Sequence, residues 1–178
     1  MFDVRGLRLY AGFMRKMLSE GEISMKSRSS VNYSPNDDYY TPASIFKALN
    51  LHFDLDVCAP KDGVPWLPSK KHYHLEIDGL AQPWEGLIWC NPPYSKPAPW
   101  IDRFIQHSNG IMLVQISRSN GFIRLWDYSH GILVPDHKMM RFITIEGKTK
   151  TIFMPVALFA MGEIANQALI NSGLGRVR

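Results

Sequence analysis

The sequence predicts a single α/β domain built on a mixed sheet. Three observations carry this expectation. Short apolar runs bounded by turn residues alternate with stretches of helical periodicity; one of those runs ends abruptly in Asn91-Pro92-Pro93-Tyr94; and two further runs flank Glu146-Gly147-Lys148, a hairpin signal that closes the order with an antiparallel pair. A chain of 178 residues, 46% of them hydrophobic, is long enough for one domain with a packed core.

Each element follows from local chemistry. Thr41-Pro42 is a helix start, with Thr as cap and Pro in the first turn, and the helix is expected to run to about Asn50. Phe53-Asp54-Leu55-Asp56-Val57 alternates apolar and polar and reads as a strand. Residues 58–77 hold Pro60, Gly63, Pro65 and Pro68 and read as a long loop, with a short strand near Tyr73–Ile77. Leu87-Ile88-Trp89-Cys90 is a second apolar strand. Residues 97–107 form a helix with Trp100, Ile101, Phe104 and Ile105 on one face. A buried strand at 111–116, a helix at 121–128, a short strand at 132–134, the hairpin of 141–145 with 151–160, and a final helix at 163–170 complete the order.

The leading segment reads differently from the rest. Leu7, Tyr10, Phe13, Met14, Met17 and Leu18 have roughly helical spacing, and residues 24–34 are polar and Ser-rich like a linker. Residues 1–34 are therefore expected as a flexible extension or short helix, with Met25 as an alternative translation start, residues 35–174 as the domain, and residues 175–178 as a tail.

Composition narrows the function classes. No apolar run approaches the ~20 residues that span a bilayer, and no secretory leader is expected. Two cysteines, Cys58 and Cys90, argue against a disulfide scaffold and fit a reducing cytoplasm. Residues 1–30 carry six Lys/Arg against three Asp/Glu, a net of +3; residues 31–178 carry fourteen against thirteen, a net of +1. The basic balance thus comes mostly from the leading segment. A nucleic-acid partner would have to be met by local patches.

The chemistry concentrates at Ile88-Trp89-Cys90-Asn91-Pro92-Pro93-Tyr94. In open α/β sheets ligands bind beyond the carboxyl ends of strands, and this motif sits at such an end. The prolines stiffen the backbone and donate no N–H, so their carbonyls face the cleft beside the Asn91 amide. The Asn91 side-chain oxygen and the Pro92 carbonyl make two acceptors for one amine. They would draw a ring-conjugated amine toward tetrahedral geometry and aim its lone pair at an electrophile. Tyr94 offers a flat face for a base rotated out of a duplex. As an isolated tetrapeptide, Asn-Pro-Pro-Tyr is also an ordinary turn.

With these residues in view, the sequence resembles the phage-type DNA N6-adenine methyltransferases, the Dam-like proteins of phages and prophages. The resemblance spans about Asp37 to Gly173. It rests on an ordered set of pieces: Tyr39-Tyr40-Thr41-Pro42, then Phe53 to Ala59, then Asp78-Gly79-Leu80 with Trp84, then Trp89 to Ser95, then Arg141-Phe142. It implies a Rossmann-like fold with a mixed, mostly parallel sheet, somewhat truncated, and S-adenosylmethionine as cofactor. It further implies that Asn91, Pro92, Pro93 and Tyr94 form the catalytic motif, and that Tyr40, Thr41 and Pro42 lie beside the methionine part of the cofactor. Asp56, Val57, Cys58 and Ala59 would form the first cofactor loop, with Asp56 near the methionine amino group and Asp78 near the cofactor adenine. Double-stranded DNA is the implied partner and the cytoplasm of a bacterial host the implied location.

The first cofactor loop departs from the wider methyltransferase pattern, because Asp56-Val57-Cys58-Ala59-Pro60 lacks the usual glycines. For the ribose, Asp62 and Glu76 are equal candidates. Lys70, Lys71 and His72 form a basic spot in a loop, and Arg118 and Arg124 follow the 111–116 strand; Lys70, Lys71, Arg118 and Arg124 are the candidate phosphate contacts. His72 and His74 lie between the two cysteines in sequence, but the spacing matches no zinc pattern and no metal is expected. Trp66, Trp84 and Trp126 read as core residues. The same corner would serve an amide nitrogen, so an acceptor in RNA or a protein glutamine is an alternative, as is a non-catalytic DNA-binding relative. The recognised DNA sequence is expected to depend on loops 60–75 and 117–140.

Overall fold

The computed structural model describes residues 39–144, 149–151 and 155–178. Ten strands are numbered here in chain order: β1 Tyr39–Tyr40, β2 Phe53–Asp56, β3 Ser69–His72, β4 Ile88–Cys90, β5 Gly110–Gln115, β6 Gly131–Pro135, β7 Arg141–Thr144, β8 Thr149–Thr151, β9 Val156–Met161 and β10 Gly175–Val177. The helices are α1 Ala43–Leu49, α2 Ala98–His107, α3 Asn120–Tyr128 and α4 Glu163–Asn171. The expected extension at 1–34, Asp38 and the Glu146-Gly147-Lys148 turn lie outside the described residues.

Seven strands make the main sheet, in the order β10-β6-β9-β5-β4-β2-β3; β1, β7 and β8 form a small antiparallel sheet. The pairs β2–β3, β2–β4 and β4–β5 are parallel, and β5–β9, β6–β9 and β10–β6 are antiparallel. An α/β fold with a mixed sheet is therefore observed. The expected mostly parallel character is corrected, since with the small sheet included antiparallel pairings are the majority. The cause is β9, which enters between β5 and β6 in the reverse direction, followed by β10, which returns against β6.

Apolar alternation places helices on both faces. Ile111, Leu113, Leu158 and Ala160 face α1 (Ile45, Phe46, Leu49) and α4 (Ala165, Leu169). Met112, Val114, Ala157 and Phe159 face α2 (Trp100, Ile101, Phe104) and α3 (Phe122, Leu125). Successive residues of β5 and β9 thus feed opposite cores, as the period of two requires.

Several expectations change in detail. The cap of α1 is Pro42, which has extended backbone angles, and Thr41 does not cap. The second strand near the loop is Ser69–His72 and not Tyr73–Ile77, so Lys70 and Lys71 lie on an edge strand. Its polar residues fit an edge, where one side faces water. Residues 57–68 cross from β2 to β3 without a helix. The run expected at 151–160 divides: Thr149–Thr151 pairs with β7, while Val156–Met161 lies inside the main sheet. Residues 175–177, expected as a tail, pair with β6. The helix expected at 121–128 and the strand expected at 132–134 are observed as α3 and β6, and they occupy most of the 117–140 span. Trp84 is core, but Trp126 is 36% exposed, with the Arg178 guanidinium 4.8 Å above its ring. Among the described residues no helix is long and apolar enough to cross a membrane.

Candidate active site

The site is built by the adjacency of β2 and β4. These strands run in parallel with Asp56 opposite Trp89, so the chain leaves both at the same edge of the sheet. Val57-Cys58-Ala59 follows β2, and Asn91-Pro92-Pro93-Tyr94 follows β4. The two exits touch. Val57 N donates to the Trp89 carbonyl at 3.1 Å, and the Cys58 and Cys90 sulfurs lie 3.8 Å apart. Two motifs separated by more than thirty residues in sequence are thereby joined.

Asp56 is 2% exposed, and its Oδ1 accepts from the Cys58 backbone N–H at 3.2 Å. Burial raises its carboxyl from 3.8 to about 7, with the Cys58 N–H opposing the rise. Among the described residues no cation forms an ion pair with it. A buried carboxylate held by one backbone donor is poorly compensated, and an ammonium group is the chemical complement it lacks. Burial also pushes up the Cys90 thiol, helped by Cys58 and by the negative charge on Asp56.

Pro92 is buried, while Asn91, Pro93 and Tyr94 are half-buried. The Tyr94 hydroxyl is turned away from solvent and has no hydrogen-bond partner among the described residues. Burial, then the neighbouring Cys58 and Cys90, pushes its phenol upward, so it stays neutral. The half-buried Tyr94 ring packs against the core that also holds α1 and Trp89, with its oxygen turned inward.

The Tyr40-Thr41-Pro42 segment enters from the small sheet, where Tyr40 pairs with Ile143. Its carbonyl at Thr41 accepts from Trp66 Nε1 at 2.8 Å. From there α1 packs on the strand that carries the corner: the Phe46 ring lies 4.8 Å from that of Trp89, two residues before Asn91. Thr41 is 2% exposed, and its Oγ1 has no partner among the described residues. The Asp56 carboxylate without a cation and the Thr41 hydroxyl without a partner are each a buried polar group that a ligand would satisfy.

Asp78 reaches the site through its neighbour. Gly79 packs so tightly on the Asp56 loop that a Cβ there would stand 2.0 Å from the Val57 carbonyl oxygen, which leaves glycine as the residue that fits. Asp78 takes a left-handed φ of 54°, and its Oδ1 accepts from Leu80 N at 3.2 Å. Three side chains hold this turn, and two of them, Gln82 and Arg103, are not among the residues the sequence singled out. Trp84 Nε1 donates to the Gly79 carbonyl at 2.7 Å, Arg103 donates to the carbonyls of Leu80 and Gln82, and Gln82 Nε2 donates to that of Ile77. The Asp78-Gly79-Leu80 and Trp84 pieces were visible in the sequence; Arg103 carried no signal, being one basic residue of an amphipathic helix.

The remaining candidates are dispersed. Lys70 Nζ bonds Asp54 at 2.7 Å and lines, with Lys71, Tyr73, Glu85 and Gly86, a surface cleft of about 340 Å³ along the outer edge of β2 and β3. Arg124 pairs with Asp102. Arg118 is exposed just past the carboxyl end of β5, the strand beside β4. Of the two ribose candidates, both exposed, Glu76 is paired with Lys61 at 3.1 Å. Among the described residues no group of three or more His, Cys, Asp or Glu is arranged to hold a metal ion.

A family model described as "DNA N-6-adenine-methyltransferase (Dam)" matches residues 28–152. A curated protein of Haemophilus phage HP1, named DNA N-6-adenine-methyltransferase, is 34% identical over 89 residues, covering 47% of this chain and 50% of the relative. The match thus spans about half the length of that relative. No solved structure matches the chain.

Proposed function

The chain belongs to the DNA N-6-adenine-methyltransferase (Dam) family, and from that premise we propose that it transfers a methyl group from S-adenosylmethionine to the N6 amine of adenine in double-stranded DNA. The observation that carries this reading is the contact between the Asp56 loop and the Asn91 corner, sealed by the Cys58–Cys90 approach of 3.8 Å. Cofactor and acceptor would meet where those two loops meet.

The cofactor supplies, when bound, a methyl group on a positively charged sulfur. Asp56 receives the ammonium of its methionine moiety, and Thr41, flanked by Tyr40 and Pro42, offers a hydroxyl to the same moiety. Val57, Cys58 and Ala59 shape the loop beneath it, and the Asp78 carboxylate accepts from the adenine amine. Asn91 and the Pro92 carbonyl accept the two hydrogens of the target amine. Pro93 stiffens the corner. Tyr94 stacks on the extruded base, a contact worth about 1–3 kcal/mol. Much of the catalytic gain would lie in placement, with Asn91 and the Pro92 carbonyl orienting the amine toward the methyl group that the bound cofactor would supply.

The arrangement is read as a Rossmann-like methyltransferase sheet in which one helical crossover is lost between β2 and β3. Arg118 is the basic residue best placed to hold a DNA phosphate. Lys70, Lys71 and Arg124 would contribute at the periphery, since Lys70 and Arg124 already pair with carboxylates. Action on DNA would fit the cytoplasm of a bacterial host.

The test is direct. The protein is incubated with methyl-labelled S-adenosylmethionine and unmethylated duplex DNA, RNA or protein, and the products are digested to nucleosides or amino acids. Label in N6-methyladenine from DNA is the expected result. Label only in RNA or glutamine, or DNA binding without any label, overturns the reading.

A further inference from the structure

We propose that Arg103 is a positioning residue for the cofactor, acting through the turn that walls the Asp56 loop. The inference rests on the reading of that loop as the cofactor site. Residues 77–83 have no regular secondary structure; the Asp78 carbonyl accepts from Ala81 N within the turn, and the carbonyls of Ile77, Gly79, Leu80, Gln82 and Pro83 accept from side chains. Arg103, in the second turn of α2, reaches back more than twenty residues in sequence. It donates from Nη1 to the Leu80 carbonyl at 2.7 Å and from Nη2 to the Gln82 carbonyl. Its guanidinium also lies 5.2 Å from the centre of the Trp84 ring. Trp84 stacks on Trp100 of the same helix and donates to the Gly79 carbonyl at 2.7 Å.

Two side chains therefore hold three carbonyls of one turn against α2. On its other side, the turn presses Gly79 onto the Val57 carbonyl, next to the buried Asp56. The turn has no slack: Asp78 is held at a left-handed φ, and Gly79 admits no side chain. Among the described residues Arg103 forms no ion pair, so its charge is spent on these carbonyls and on the indole. A planar guanidinium spans two carbonyls at once, whereas a lysine ammonium reaches one. Removal of Arg103 would release the turn into water and widen the wall of the Asp56 loop. The Asn91 corner, anchored separately by β4, would keep its shape.

The experiment compares full-length R103A and R103K with the unaltered chain. Calorimetry gives the Kd for S-adenosylmethionine, kinetics on duplex DNA give KM and kcat, and circular dichroism with thermal melting reports folding. Loss of two charge-assisted hydrogen bonds should weaken cofactor binding and raise its KM by about tenfold in R103A, with kcat at saturating cofactor changed by less than about threefold. R103K should fall between. A purely structural role would lower the melting temperature without this split. Unchanged Kd in either folded variant, or a fall in kcat with KM unchanged, overturns the proposal. If R103A does not fold, R103K alone decides. The unaltered chain separates the two readings. Its failure to bind S-adenosylmethionine removes the cofactor site itself. Binding without N6-methyladenine formation removes only the acceptor. Equal binding by chain and variants removes only Arg103.

Discussion

The sulfurs of Cys58 and Cys90 stand 3.8 Å apart, Cys58 two residues beyond the end of β2 and Cys90 at the end of β4, where the loop after Asp56 meets the Asn91 corner. Cys90 is fully buried and Cys58 half-buried. The pair acts as small apolar packing between the two loops. Serine at 90 would put a hydroxyl among Leu55, Ile88 and Met112. Cys90→Ser is expected to destabilise the fold by about 1–3 kcal/mol, measured by denaturant unfolding. Cys58→Ser, closer to solvent, should cost less; the reverse order would contradict the assigned packing.

Asp56 predicts a pH dependence with a defined sign. Its folded carboxyl titrates near 7 and the unfolded one near 3.8. Between these values the folded state holds a proton that the unfolded state has lost. Stability therefore falls as pH rises from about 4 to 7, and levels off above 7, by roughly 4 kcal/mol. The melting temperature of the ligand-free protein should show this decline, and Asp56→Asn should remove that component and be the more stable form at pH 8. Cofactor affinity should run the opposite way, strengthening as Asp56 ionises from pH 6 to 8, and should be weak and flat in Asp56→Asn. A rise in ligand-free stability across pH 5–7 that vanishes in Asp56→Asn would contradict the assigned burial.

Asn91 and Tyr94 should separate chemistry from cofactor binding. Asn91→Ala removes one of two acceptors for the amine. It is expected to lower kcat at least about a hundredfold, on the scale of losing one preorganised hydrogen-bonding group, while calorimetric affinity for S-adenosylmethionine is retained. Tyr94→Ala should lower kcat/KM on duplex DNA by about ten- to hundredfold, through loss of the stacking face. Normal turnover by Asn91→Ala would remove the catalytic assignment.

Arg118 provides a test of the DNA face. Arg118→Ala should weaken duplex binding and reduce the slope of log affinity against log salt by about 1, as expected for one phosphate contact. The same substitution at Arg124, already paired with Asp102, should change the slope less. Equal slopes for Arg118→Ala and the unaltered chain would place the DNA elsewhere.

What was legible in the sequence was local. β2, β4 and β5 are apolar runs cut off by turn residues, and α2 and α3 have one apolar face each, so each could be read from periodicity. The contiguous Asn91-Pro92-Pro93-Tyr94 motif was legible for the same reason, since its chemistry sits on neighbouring residues. β3 was misplaced because Ser69-Lys70-Lys71-His72 on a sheet edge has no apolar face to reveal it. The long apolar stretch before Met161 gave no hint that it would divide between two sheets.

The sequence by itself determined the order of short apolar runs and the contiguous Asn91-Pro92-Pro93-Tyr94 motif at the end of one of them. Only the tertiary structure decided that β4 lies beside β2, that β9 runs in reverse between β5 and β6, and that Asp56 is sealed from water. It alone also brought Arg103 to the carbonyls of Leu80 and Gln82. These outcomes depend on burial and hydrogen bonding between segments far apart in the chain, where many sequences satisfy the same contact and periodicity records only which face turns inward.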